Sequence, residues 1–280
     1  MRKGFRDKFA IVGLGMVTGR LPGVTTRAMA AEATRRAIED GGLEREDIDG
    51  TIYSREGSGR GERSYPADHF PRVLGLPVKF HFVIERGSSP AMCITSATKY
   101  LELGVAKYVA IVRSKNDWSR SHKGKEREPG ARGLQMRTRD GYWGVPFGDL
   151  RAVSHHSFFA SRHMYEYGTT SRQFGAIAVQ ERQWALKNPL AAMYGRPMTI
   201  EDHQNSPMLV YPYHLLDICQ VTDGAIAFIL TTAERAKDCA KRPVYIMGVG
   251  FGEAIEKLWW EKANYTRLPV DTNSQTKIIQ

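Results

Sequence analysis

Cysteine is scarce in this 280-residue chain, with Cys93, Cys219 and Cys239 the only three. They show neither CxxC spacing nor a paired-histidine pattern, which argues against a structural zinc and a disulfide framework and points to reduced thiols. Long hydrophobic runs are lacking too. No stretch approaches the roughly 18 apolar residues that a membrane span requires. The opening MRKGFRDKFAIVGLG sets basic residues before an apolar run. Glycines interrupt that run and no small-residue cleavage site follows, so a signal peptide is rejected and a cytoplasmic location expected. Acids are under-represented: 30 Asp and Glu against 40 Lys and Arg leave a net charge of +10.

What is present is an ordinary globular composition, 42% hydrophobic and 25% charged, in a chain long enough for one large core or two packed ones. Part of the positive charge is local. The stretch Arg113 to Asp140 carries nine Lys or Arg against four acids. It reads either as a solvated loop or as a receiver of a polyanion, nucleic acid or the phosphates of a nucleotide-containing cofactor. No helix-turn-helix and no aromatic-glycine pattern of an RNA-binding sheet accompanies it, which sets nucleic acid aside.

The order of patterns is that of an α/β protein. KFAIVGLGMVTGR reads as a buried strand and a glycine-rich turn; a helix follows, capped at Thr25 or Thr26 and ended by Gly41 and Gly42; EDIDGTIYS is a short strand. Gly13 and Gly15 invite a dinucleotide-binding reading, but Gly19 comes one residue late for GxGxxG and the next strand is too distant to present a ribose-binding acid. VKFHFVIE alternates as a strand. The segment RGSSPAMCITSATKYLELGVAKYVAIV reads as a turn, a helix and a buried strand. Beyond the basic stretch, SFFASRHMYEYGTT and TSRQFGAIAVQERQWALKNP read as amphipathic helices, and RPVYIMGVGFGEA as a last strand.

Taken in order, AIVGLGMVTGR, DIDGTIYS, EYGTT with the helix after it, YGRPMTIEDH, LLDICQVTDGAIAFILTTAERAKD and PVYIMGVG resemble the thiolase superfamily. The likeness is to its sterol-carrier-protein-type thiolases and lipid-transfer-protein aldolases. It implies a thiolase-like α/β fold, a mixed five-stranded sheet sandwiched by helices with an inserted loop domain. The expected limits are residues 1–115 and 208–252 for the α/β domain and 116–207 for the insertion. Residues 253–280 form a tail, with the family's second half missing after it.

The resemblance also implies acyl-CoA chemistry, with coenzyme A as the substrate thioester and no metal. A thiolase places its nucleophilic cysteine at the N-terminus of the buried helix, where the helix end favours thiolate. That position falls at or beside Gly87, so Cys93 is either a small core residue or a displaced nucleophile. Ser88 and Ser89 are candidates for contact with substrate at this turn, or caps of the helix. The lipid-transfer aldolases also have a glycine-rich turn here and cleave a carbon–carbon bond without an acyl-enzyme.

His155 and His156 are candidate proton carriers or polarisers of a thioester carbonyl, or else exposed or capping residues. His163 lies seven residues beyond His156, and no ligand spacing around them supports a metal. Tyr142, Trp143 and Phe147 would line an acyl pocket or pin their loop, while Lys123, Lys125, Arg127 and Arg132 would meet the CoA phosphates. Asp223 is expected as a turn-former rather than an acid catalyst. The implied partner is a second thiolase-like chain, in a homodimer or heterodimer joined edge to edge through KYVAIV, or a small OB-fold, zinc-ribbon protein. The functions in view are acyl transfer, retro-aldol cleavage in lipid or steroid side-chain metabolism, or a non-catalytic subunit.

Overall fold

A computed structural model describes residues 5–55, 69–85, 89–122 and 152–249. They fall into two units, the first from within 1–124 and 221–253 and the second from within 125–220. Met208 to Gln220 therefore lie in the second unit.

The first unit is built on β1 (Phe9–Gly19), α1 (Thr26–Gly41), β2 (Ile48–Arg55), α2 (Phe70–Leu74), β3 (Phe80–Glu85), α3 (Ser89–Glu102), β4 (Tyr108–Asn116) and α4 (Asp117–His122). After the second unit the chain returns as β7 (Asp223–Thr232) and β8 (Val244–Tyr245). The sheet order is β3-β2-β4-β7-β1-β8. β2 runs parallel to β3 and β4, whereas β7 is antiparallel to both β4 and β1. The sheet is mixed, as expected, with six strands rather than five; the sixth has only two residues, against Ala10 and Ile11.

α1 follows its sequence signals. Thr25 accepts a hydrogen bond from the Ala28 amide, and Gly42 closes the helix at φ 65 with its N–H on the Glu39 carbonyl. Its alanine-rich face packs on one side of the sheet with Val12, Ile48, Val112 and Ile229, while α3 covers the other with Cys93, Ala97 and Leu101 against Ile52, Val109 and Leu230. Each large aliphatic side chain so buried contributes about 1.5–3 kcal/mol.

Gly13 and Gly15 are not in a turn, which corrects the expectation, because β1 continues through both to Gly19. Their role is packing. A Cβ at Gly13 would stand 2.1 Å from the Ala37 carbonyl oxygen, and one at Gly15 2.0 Å from that of Ala33. Only glycine lets α1 lie so close on the strand.

KYVAIV is not an edge, since β4 pairs with β2 on one side and β7 on the other. β3 holds that edge. At the opposite edge, β1 extends beyond β8, and α1 side chains take up its backbone: the Leu14 amide donates to Asp40, 3.1 Å, and Arg36 donates to the Met16 carbonyl, 2.9 Å. This edge is blunted against strand addition.

The second unit holds α5 (Ala152–Tyr167), α6 (Ser171–Ala185), α7 (Ile200–Asn205) and a hairpin of β5 (Met208–Val210) and β6 (Tyr213–His214), followed by a 3-10 turn at Leu215–Asp217. Thr170 with Gln173, and Thr199 with Asp202, form reciprocal capping boxes at the starts of α6 and α7. Among the described residues no helix is long and apolar enough to cross a membrane.

Candidate functional site

In the first unit the carboxyl ends of the parallel strands β2 and β4 lie beside α3, the place where open α/β sheets bind ligands. Ser54, near the end of β2, is buried, Arg113 follows the apolar run of β4, and Cys93 faces them from the first turns of α3. Alternation along the strands sends Tyr53 and Ser114 to the opposite face, where the tyrosine hydroxyl and Ser114 Oγ are 2.8 Å apart.

α3 begins at Ser89, and Cys93 is a full turn inside. Its side chain is wholly buried. Burial pushes the Cys93 thiol up to about 11, against the opposing pull of a hydrogen bond with Ser54 and of the Arg113 guanidinium. At neutral pH such a thiol is about one part in ten thousand thiolate. The helix N-terminus that would activate it is too far away to act, since that influence fades within the first turn. The geometry gives Cys93 to the core beside Ala97 and Leu101.

α5 begins at Ala152, early enough to include all three histidines. His156 is exposed, and His163 sits 2.9 Å by Nδ1 from Thr169 Oγ1 with its ring 4.8 Å from Tyr167. His155 belongs to α5, but its side chain is not among those described, and the same holds for Ser89. Ser88, Lys123, Lys125, Arg127, Arg132, Tyr142, Trp143 and Phe147 lie outside the described residues. The basic stretch is a continuous loop neither at its start nor through residue 122, because Arg113 to Asn116 extend β4 and Asp117–His122 form α4. No group of three or more His, Cys, Asp or Glu among the described residues could hold a metal.

Three polar centres escaped the sequence. Asp49 is the extra residue where β2 shifts register against β4, and its carboxylate accepts from the Lys107 and Tyr108 amides at 2.8 and 3.0 Å and from Lys79 Nζ at 3.1 Å. Asp223, expected in a turn, opens β7 and is fully buried among partners far along the chain. His203, the histidine of TIEDHQN, is fully buried beside Asp217. The only sequence hints were an aspartate next to a glycine, a histidine in a capped helix and an aspartate after two leucines.

No family model matches the chain. It is 33% identical over 261 residues to a steroid side-chain-cleaving aldolase of Thermomonospora curvata, covering 89% of this chain and 63% of that protein. It is 34% identical over 245 residues to 17-hydroxy-3-oxo-4-pregnene-20-carboxyl-CoA lyase of Mycobacterium tuberculosis, covering 87% of this chain and 62% of that protein. The solved Ltp2-ChsH2(DUF35) aldolase superposes with a TM-score of 0.73 at 32% identity over 89% of this chain and 62% of its own. A monomeric SCP2-thiolase like protein from Mycobacterium smegmatis shares the fold, with a TM-score of 0.62 at 19% identity over 90% of this chain and 53% of its own. The chain thus spans about three fifths of the length of the curated relatives it matches.

Proposed function

Since the chain belongs to the thiolase superfamily, in the branch of sterol-carrier-protein-type thiolases and lipid-transfer aldolases, we propose that it binds an acyl-CoA and serves retro-aldol cleavage of the Cα–Cβ bond beside the thioester. The substrate class we assign is a β-hydroxyacyl-CoA with a steroid-like or other bulky acyl group, by likeness to the two relatives named for steroid side-chain cleavage and for a pregnene carboxyl-CoA. The observation that carries the aldol reading over thiolysis is Cys93. Thiolysis needs a thiolate to form an acyl-enzyme, and this thiol is buried and held protonated.

In a retro-aldol step a base takes the β-hydroxyl proton, the Cα–Cβ bond breaks to leave a carbonyl product, and the electron pair passes to the thioester as an enolate that then takes a proton at Cα. No acyl-enzyme intervenes. In our reading His155 or His156 moves a proton, Lys123, Lys125, Arg127 and Arg132 meet the CoA phosphates, and Tyr142, Trp143 and Phe147 line the acyl pocket. We retain the assignment of these residues to an insertion in the α/β domain.

The partner we propose is a second thiolase-like chain added at β3. β1 is capped by Arg36 and Asp40 from its own unit, whereas β3 pairs with β2 alone among the described strands. A second reading, a non-catalytic subunit working with an OB-fold, zinc-ribbon protein, draws on the two-component name of the solved aldolase.

Calorimetry with a β-hydroxyacyl-CoA, a product assay and intact-mass analysis after acetyl-CoA test the proposal together. Saturable binding, a released carbonyl product and no adduct are expected. An acyl group on Cys93 would replace the aldol reading with thiolysis, and absence of any CoA binding would remove both.

A further inference from the structure

Three separated segments converge on one buried carboxylate. Asp223 opens β7, and its Cα is in register with Gly19 at the end of β1 and with Asn116 at the end of β4. The side chain is 0% exposed. One oxygen accepts from the Ser119 amide at 2.9 Å; the other accepts from Ser119 Oγ at 2.6 Å and from the Leu21 amide at 3.0 Å. The Trp118 backbone also donates to it. Burial alone would raise this carboxyl, but the Ser119 hydroxyl and the Ser119, Leu21 and Trp118 amides outweigh it and hold the group below the usual carboxylate range. The Arg20 guanidinium, 5.5 Å from the centre of the Trp118 ring, joins the same two segments from outside.

The sequence position of this node gives it meaning. The chain leaves the first unit just after α4 and re-enters it at Val221. Exit and return therefore meet at Ser119 and Asp223. A turn-forming aspartate bonds to its own neighbours two or so residues on. Asp223 instead reaches partners 104 and 202 residues away. A charge-assisted cluster of this kind defines one geometry, because each donor it holds would be left buried and unpaired if the carboxylate were removed.

We infer that Asp223 is a positioning residue: its carboxylate clasps α4, where the described part of the basic stretch ends, and the β1 end to the start of β7. The consequence for CoA affinity rests on the reading above that Lys123, Lys125, Arg127 and Arg132 meet the CoA phosphates.

The test is hydrogen exchange of the full chain, wild type against Asp223→Asn and Ser119→Ala, with CoA affinity measured alongside. Asn keeps the shape but offers one acceptor oxygen, and its NH2 faces N–H donors. Ser119→Ala removes one donor and keeps the protein foldable should Asp223→Asn fail to fold. The Trp118, Ser119 and Leu21 amides are expected to exchange at least about tenfold faster in the variants, with β2 and α3 unchanged, as local opening requires. Weaker CoA binding, about fivefold or more, is expected with it. Unchanged exchange at those three amides, an equal rise in β2 and α3, or unaltered CoA affinity despite local opening would each overturn the inference. If wild-type protein binds no CoA while the exchange pattern is as expected, the clasp stands and the acyl-CoA reading falls.

Discussion

His203 Nε2 stands 2.7 Å from Asp217 Oδ1, with side chains 0% and 6% exposed. The other ring nitrogen is 2.9 Å from the Gln204 Nε2 donor, so a ring tautomer with its proton on Nε2 satisfies both neighbours. Asp217 also accepts from the His214 amide at 2.7 Å, which ties α7 to the hairpin. Gly175 on α6 admits the ring, since a Cβ there would come 2.6 Å from His203 Nδ1. Asp217→Ala leaves both donors buried without an acceptor. A loss of about 3 kcal/mol is expected, read as a lower midpoint in chemical denaturation, and Asp217→Asn should cost less. Equal stability of Asp217→Ala and wild type would mean that the pair is not a structural anchor.

Gly13→Ala and Gly15→Ala each drive a methyl into a backbone carbonyl of α1 that cannot rotate away. Overpacking of this kind costs about 3 kcal/mol. Thermal unfolding of the two variants checks it, with Gly104→Ala as a contrast: a Cβ there meets open space, and the strain comes from φ 69 alone. Gly13→Ala at wild-type stability would show that α1 can retreat from the strand.

The Cys93 thiol makes two pH predictions. Alkylation of native protein by iodoacetamide near neutral pH should modify exposed Cys219 and spare Cys93. Because the folded thiol is raised from 9.0 to about 11, the unfolded chain loses this proton first. The stabilisation is complete below 9 and is lost as pH rises towards 11. Cys93→Ala should remove that alkaline component from the stability profile while leaving CoA affinity unchanged. Rapid labelling of Cys93 in folded protein would contradict its burial.

At the β3 edge of the sheet, Ile84 and Phe82 are only partly buried against the α3-side core. Ile84→Lys places a charge where a second chain would add a strand, a device by which proteins block such pairing. Light scattering at micromolar concentration should then report half the mass found for wild type. A wild-type mass already equal to one chain would remove the edge-to-edge proposal.

Local signals were sufficient for much of the fold. The cap at Thr25 or Thr26 and the stop at Gly41 and Gly42 were legible because each is settled within a few residues. The alternation of FHFVIE and the apolar run of YVAIV announced strands for the same reason. Strand order was not legible, and the edge was therefore placed on β4 instead of β3. The glycines of β1 were misread as a turn because their reason lies on α1, at Ala37 for Gly13 and at Ala33 for Gly15, far beyond the reach of a local pattern.

The sequence by itself determined the α/β class and the thiolase-like resemblance, since periodicity, caps and ordered motifs are properties of adjacent residues. Only the tertiary structure decided that Cys93 is a neutral core thiol, that Asp223 is a buried clasp and that β1 is the blunted edge. Desolvation depends on what every other segment packs against a group, and a hydrogen bond across 104 or 202 residues leaves no pattern at either end.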